Sequence, residues 1–420
     1  MIRLLRIAAC MLAAGSALML DAPQSGASEA EIKKVAAIVT VYTPDSHADV
    51  IVTRLLETET LDGRGRQPKL RLASLYVDQT PARDISRGLA AKHKFPIVPN
   101  VEAALTLGTG KLAVDGVLLV CEMGDYPVSS VGQVQYPKRK FFEAIAKVMA
   151  ASGRVVPVFV DKHLADNWDD AKAIYDTAQR MKIPLMAGSS LPVLWRYPAI
   201  DTERDRPLKE LVAVSFHSLD GYGFHGMEMV QCLAERRAGG ETGVKSVQCL
   251  VDDQVWEAGE RGLYDPKLLD ATLARVLWRP YNNPDLRKNV AHPVLWMIRY
   301  RDGLKASVLT LNYAVGQWAA SWRYEDDAQL HSTLFWTQEA RPFMHFTYLV
   351  AGIEQMMFTG KATWPAERTL LTSGTLDALL ISKANGGKTI ETPQLGVSYR
   401  SDWEWRQPPK SPPPYLYFPK

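Results

Sequence analysis

The sequence predicts an α/β protein: a parallel sheet covered by helices, followed by an α+β half with a large, mainly antiparallel open sheet. Three observations predict it. Between residues 35 and 187, short continuous apolar runs alternate with helical patterns. Beyond Pro192 the runs lengthen, alternate apolar with polar residues and gather aromatics. Asp302-Gly303, a tight-hairpin pair, lies between two of those later runs.

The early apolar runs fall at 35–41, 72–77, 114–121, 155–160 and 183–186, with helical patterns at 46–59, 81–92, 100–107, 138–151 and 166–181. Continuous apolar strands interleaved with helices belong to a parallel sheet buried on both faces, with right-handed crossovers. The helix after Asp166 rests on Ala171, Ile174, Tyr175, Ala178 and Met181 at helical spacing. In the second half, strands are expected at 212–216, 244–251, 294–300, 306–311, 317–324 and 332–337, and closing helices at 343–357 and 365–382. The pattern divides the chain into 1–28, 32–190, 191–390 and an extended tail at 391–420, rich in proline and aromatics.

Of the 420 residues, 47% are hydrophobic and 23% charged, and the balance of 49 basic against 46 acidic residues leaves a net charge of +3. That near-neutrality speaks against a nucleic-acid partner. Arg3 and Arg6, an apolar run to about Leu20 and the small residues Gly26-Ala27-Ser28 read as a cleaved export signal, the alternative being a retained N-terminal anchor, for which the run is short. No arginine pair precedes the run, so the expectation is export of the unfolded chain to a periplasmic or extracellular site, with no membrane association once the signal is removed. Cys10 lies in that signal. Cys121, Cys232 and Cys249 show no metal-ligand spacing. Cys121 reads as a core thiol, while Cys232 and Cys249 are able to pair in an oxidising compartment if their geometry permits.

The strand at 155–160 ends in Asp161-Lys162-His163. Ligands of open α/β sheets bind beyond the carboxyl ends of the strands. A lysine there either points into that crevice or is an ordinary solvated turn residue. A nucleotide-type parallel domain, a strand-end lysine after the fifth strand and an antiparallel second domain together resemble the glucose–fructose oxidoreductase / inositol dehydrogenase / MocA (Gfo/Idh/MocA) family. Members carry Glu-Lys-Pro where this chain reads Asp161-Lys162-His163. A second signature, Gly-x-His-x-x-Asp, is matched by Gly223-Phe224-His225-Gly226-Met227-Glu228 with Glu for Asp. The text of 369–380 is similar too, and the resemblance covers about 35–385.

The resemblance implies a Rossmann-like first domain, an NAD(P) cofactor, and oxidation or reduction of a sugar or cyclitol. It makes Lys162 and His225 the catalytic pair. Glu228, one helix turn beyond His225, is placed to orient the imidazole or else to be a surface acid. Asp161, His163 and Tyr126 fall beside the substrate. Thr40, Tyr42 and Asp78 fall where the dinucleotide's turn, pyrophosphate and ribose would be held. The family often pairs subunits through the second sheet, and Trp296, Trp318, Trp322 and Trp336 suggest an aromatic face for a homo-oligomer.

The pattern also breaks. The dinucleotide loop Gly-x-Gly-x-x-Gly is replaced by Thr40-Val41-Tyr42-Thr43-Pro44-Asp45. Tyr42 is expected to fill pyrophosphate space, and Asp45 at the helix start puts a carboxylate where a phosphate belongs. A loop from Glu122 to Pro137, carrying Asp125, Tyr126 and Tyr136, replaces a short turn. Two functions follow: an exported NAD(P)-dependent sugar or cyclitol oxidoreductase, or a cofactor-free ligand-binding pseudoenzyme. A metal set of His217, Asp220, His225 and Glu228 has the right chemistry, but nothing in the sequence makes those residues converge.

Overall fold

The computed structural model describes residues 32–276 and 285–409, and the segment expected to be an export signal and the tail end at 410–420 lie outside them. Ile32 onward forms one compact unit. The first sheet has strands β1 Lys33–Val39, β2 Leu70–Val77, β3 Gly116–Val120, β4 Val158–Asp161 and β5 Leu185–Gly188, in the order β2-β1-β3-β4-β5. All pairs are parallel. Every second residue of these strands faces helices α3 Val101–Thr106, α4 Lys138–Ser152 and α5 Trp168–Met181. Alternate residues face α1 His47–Leu56, with α2 Ser86–His93 at the sheet's edge. Ser46, Asn100 and Asn167 cap α1, α3 and α5 through side-chain oxygens that accept first-turn N–H groups.

Lys162 follows the fourth strand of this sheet, and the loop from Glu122 follows the third. The expectation had the lysine after a fifth strand. Beside β2, Ile97 makes only a single bridge to Leu75, and Pro96 lacks a donor for a longer ladder.

The second sheet comprises β6 Trp195–Tyr197, β7 Leu208–Ser215, β8 Val244–Val251, β9 Val294–Tyr300, β10 Lys305–Thr310, β11 Trp318–Tyr324, β12 His331–Trp336 and β13 Ile390–Glu391. Its order is β13-β8-β9-β10-β7-β11-β12-β6. Only β10 and β7 run parallel, and the β9–β10 hairpin turns at Asp302-Gly303, with Gly303 at φ +99°. Helices α6 Gly221–Ala234 and α11 Ala366–Ala384 cover one face. Helices α7 Asp253–Glu260 and α8 Pro266–Leu273 cover the other, and a short α9 Leu286–Asn289 leads into β9. The period-two pattern showed that the strands were amphipathic but not that this second face was covered. Trp296, Trp318 and Trp322 are buried on the α6/α11 face and Trp336 on the α7/α8 face, so all four are core residues, not an aromatic surface for a partner.

Helix α10 His345–Thr359 belongs to the second half in sequence but packs on the first sheet. Its Leu349, Val350, Ile353 and Met356 join Val35, Ala37, Val39, Leu118 and Phe159 in one core. The tail is extended, as expected, but partly buried. Tyr399 Oη donates to Glu235 (2.8 Å), Trp403 lies over Arg368, and Trp405 Nε1 donates to the Leu194 carbonyl (2.8 Å). Arg368 and Glu235 form a fully buried pair at 2.6 Å. Cys121, Cys232 and Cys249 are all buried free thiols, so Cys232 and Cys249 do not pair.

Helix α6 approaches the second sheet closely because Gly223 has no side chain: a Cβ there would collide with the Trp296 indole. Gly223→Ala should therefore destabilise the fold by about 1–3 kcal/mol through overpacking, read as a lower urea midpoint with an unchanged slope.

Candidate functional site

Three parallel strands deliver the site's polar groups. β1 leads to His47, the first residue of α1. β3 leads to Glu122, and β4 ends at Asp161 with Lys162 directly after it. His225 comes from α6 and Trp318 from β11, and the 337–346 segment adds His345. A cavity of about 140 Å³ lies between them, lined by His47, Glu122, Lys162, His225, Trp318 and His345 among others.

The charges form a chain. Lys162 Nζ donates to Glu122 Oε1 (2.7 Å) and to the Gly221 carbonyl (3.4 Å). His47 Nδ1 is 2.6 Å from Asp161 Oδ2 and 3.9 Å from Glu122 Oε2. Lys138, the first residue of α4, donates to the backbone carbonyls of Asp161 (2.8 Å) and His163 (2.6 Å). Burial works against both His47 and Glu122 being charged. Asp161 and Glu122 outweigh it for His47, whose pKa is raised. Lys162 and His47 outweigh it for Glu122, held down to about 2. Burial lowers the pKa of His225 well below its usual 6.5, helped by Lys162, His47 and His345. Burial does the same for His345, with Arg54 and His47 adding to it. The cavity thus offers an ammonium donor and neutral imidazoles to one small polar ligand. His225 Nδ1 is buried with no hydrogen-bond partner in the protein.

Lys162 and His225, far apart in sequence, line the same cavity. The other expected site residues sit elsewhere. Glu228 does not orient His225: it accepts from Ser189 N (2.6 Å) and Thr369 Oγ1 (2.7 Å), tying α6 to the end of β5 and to α11. Asp161 is fully buried behind His47. His163 packs edge-on against Phe224, with Nε2 3.3 Å from Asp220. Tyr126 donates to Asp78 (2.7 Å), and Thr40 Oγ1 donates to the Glu122 carbonyl (3.1 Å). Tyr42 does not occupy the crevice. It is buried under α1, hydrogen-bonded to Thr53 (2.8 Å). The set His217, Asp220, His225 and Glu228 does not converge either, since His217 is exposed against Tyr222 while Asp220 and Glu228 are engaged as above. Sequence reading missed His47 and His345. The signal available for His47 was its place directly after the cap residue Ser46, at the mouth of the crevice.

No protein-family model and no curated protein matches the chain. Solved structures do. GenD2 from gentamicin A biosynthesis, in complex with NAD, aligns over 86% of this chain and 96% of its own, with a TM-score of 0.54 at 14% identity. The myo-inositol dehydrogenase of Lactobacillus casei, with NAD(H) and myo-inositol, aligns over 86% and 96% with a TM-score of 0.53 at 11% identity. A probable dehydrogenase from Thermotoga maritima gives 0.53 at 11% identity, over 86% and 99%. The chain has the fold of the Gfo/Idh/MocA dehydrogenases.

That fold implies a dinucleotide, and the residues present do not fit one. A Rossmann site needs a glycine turn, a free helix N-terminus for the pyrophosphate and a free acid for the ribose. Here the α1 N-terminus holds its own carboxylate: Asp49 accepts from Asp45 N (2.9 Å) and pairs with Arg341 at 2.7 Å. Asp45 lies just before the cap with φ +63° and reaches Arg341 at 3.6 Å. Arg341 leads into a segment docked over the same turn. Arg54 donates to the carbonyls of Pro342 and Phe343, and Phe346 packs edge-on against His47 at 5.1 Å. Asp78, the ribose position, already accepts the hydroxyls of Tyr76 and Tyr126, both at 2.7 Å. Gln79 and Asp125 exchange two 2.8 Å hydrogen bonds that fasten the 122–137 loop across the strand ends. The remaining cavity is well below the roughly 300–1,000 Å³ of ordinary ligand pockets.

The histidines set the acid response. His163 is held down to about 4, mainly by burial, and His225 and His345 are also lowered. Below about pH 6.5 the unfolded chain binds more protons than the folded one, so stability falls from there toward about pH 4. His47 has the opposite sign, its contribution being lost only as pH rises through its raised value. Urea unfolding should show a declining free energy from pH 7 to 4.5, with His163 alone supplying on the order of 3 kcal/mol. His163→Asn should flatten that decline, and a profile indifferent to the substitution would contradict the assignment.

Proposed function

We propose that this chain uses the dehydrogenase scaffold without its dinucleotide, as a binding site for a small carbohydrate-like ligand held between Lys162, Glu122, His47 and His225. One observation carries the reading: the residues at the pyrophosphate and ribose positions are engaged by other parts of the same chain. The ligand class is taken from the inositol dehydrogenase of the same fold, which was solved with myo-inositol. A polyol suits a cavity whose charged donor, carboxylate and neutral imidazoles are able to bond several hydroxyls at once. We further infer export through the Arg3–Leu20 segment. A protein that leaves the cytosol unfolded would have to find a dinucleotide outside it, so a cofactor-free site is consistent with that route.

A second reading, an NAD(P)-dependent sugar or cyclitol oxidoreductase, is favoured by Lys162 and His225 lining one cavity. It requires the 341–346 segment to lift from α1. The two readings separate cleanly. Calorimetry with NAD(H) and NADP(H) at millimolar concentration should show no heat of binding. A panel of cyclitols and monosaccharides should raise the melting temperature without cofactor. Ligand at a hundred times its dissociation constant adds about 2.7 kcal/mol of stability. Lys162→Met should weaken that binding at least tenfold, about 1.4 kcal/mol. Sugar binding that appears only with a dinucleotide would restore the oxidoreductase.

A further inference from the structure

We propose that His47, Glu122 and Asp161 form a binding site for a first-row divalent metal ion at the carboxyl end of the parallel sheet. One ligand atom from each, an imidazole nitrogen and two carboxylate oxygens, lies within 4.8 Å of the others. The same cluster leaves two buried oxygens idle, Asp161 Oδ1 and Glu122 Oε2. Asp161 is 0% exposed, so its unpartnered oxygen has no water to turn to. One nitrogen and two carboxylates suit zinc, manganese or ferrous iron rather than magnesium or copper(I).

Ligand atoms about 2.1 Å from a tetrahedral ion stand about 3.4 Å apart. His47 Nδ1 is nearer than that to Asp161 Oδ2 and farther from Glu122 Oε2, at 2.6 and 3.9 Å. Small rotations of two side chains equalise them. The proton that His47 now shares with Asp161 is what an entering ion displaces. His47 and Glu122 also line the cavity, so the fourth position opens onto it. The groups facing the cluster bear on affinity. Lys162 and Lys138 already offset the two carboxylates, so a dication needs an anionic fourth ligand, such as hydroxide or an ionised ligand oxygen. Lys162 also competes directly, holding Glu122 Oε1 at 2.7 Å.

That competition gives the test a sign that a merely structural cluster would not show. Chelator-stripped full-length protein is titrated with Zn²⁺ and with Mn²⁺ by calorimetry, and with Co²⁺ by visible absorption. One equivalent per chain is expected. His47→Gln and Asp161→Asn should each weaken it at least tenfold, and Lys162→Met should strengthen it by freeing Glu122. Circular dichroism checks each fold, and Glu122→Gln, in a loop, serves if a strand-end variant fails to fold. Absence of binding, or binding indifferent to these substitutions, overturns the site. Since Lys162→Met is expected to weaken sugar binding and strengthen metal binding, either proposal can fail while the other stands.

Discussion

Two carboxylates and two ammonium groups are held out of water at one end of the parallel sheet, and neither pair is tolerable there without the other. Removing a single charge from water costs several kcal/mol even after relaxation. Asp161, Lys162 and Lys138 are each no more than 1% exposed. Their compensation therefore dictates where four elements begin or end. Lys138 must open α4 beneath the carbonyls of Asp161 and His163, and His47 must open α1 against Asp161. Glu122 must leave β3 toward Lys162, which reaches the first carbonyl of α6. The cavity is what remains once these demands are met.

Two proteins of the same fold were solved with NAD or NAD(H) bound. Here contacts within the chain occupy the corresponding positions. Without a glycine turn Tyr42 packs into the core, Ser46 caps the first turn of α1, and the Asp49 carboxylate occupies the region where a phosphate would sit. Arg341 neutralises that acid and brings its own segment down over the turn. On the other side, Tyr126 and Gln79 draw the 122–137 loop over Asp78. Fold likeness and site likeness thus part company, as they do wherever one scaffold hosts several functions.

Much of the architecture was legible because it is written in periodicity. All five parallel strands, their helices and the six long strands of the second sheet follow from apolar spacing. What stayed hidden depended on distant partners. Nothing local says that Tyr42 turns inward to Thr53, or that Glu228 reaches Ser189 rather than the imidazole three residues before it. The tryptophans were misplaced because alternation along a strand does not say which faces are covered: Trp296, Trp318 and Trp322 pack under α6 and α11, and Trp336 lies in the core of the opposite face. Lys162 and His225 were found by motif, whereas His47 and His345 belong to no motif and meet only in three dimensions.

Helix α10 carries a consequence for how the molecule is made. It supplies one cover of a sheet whose strands all lie in the first half of the chain, and Met357 fits against Gly116 where no side chain would leave room. Chains emerge amino terminus first, and early segments often fold as they appear. Here the cover of the first sheet is completed late: until residue 359 has emerged, the face of β1, β3 and β4 has α1 beside it but not α10. The core of the first sheet therefore closes only when the last quarter of the chain has been made.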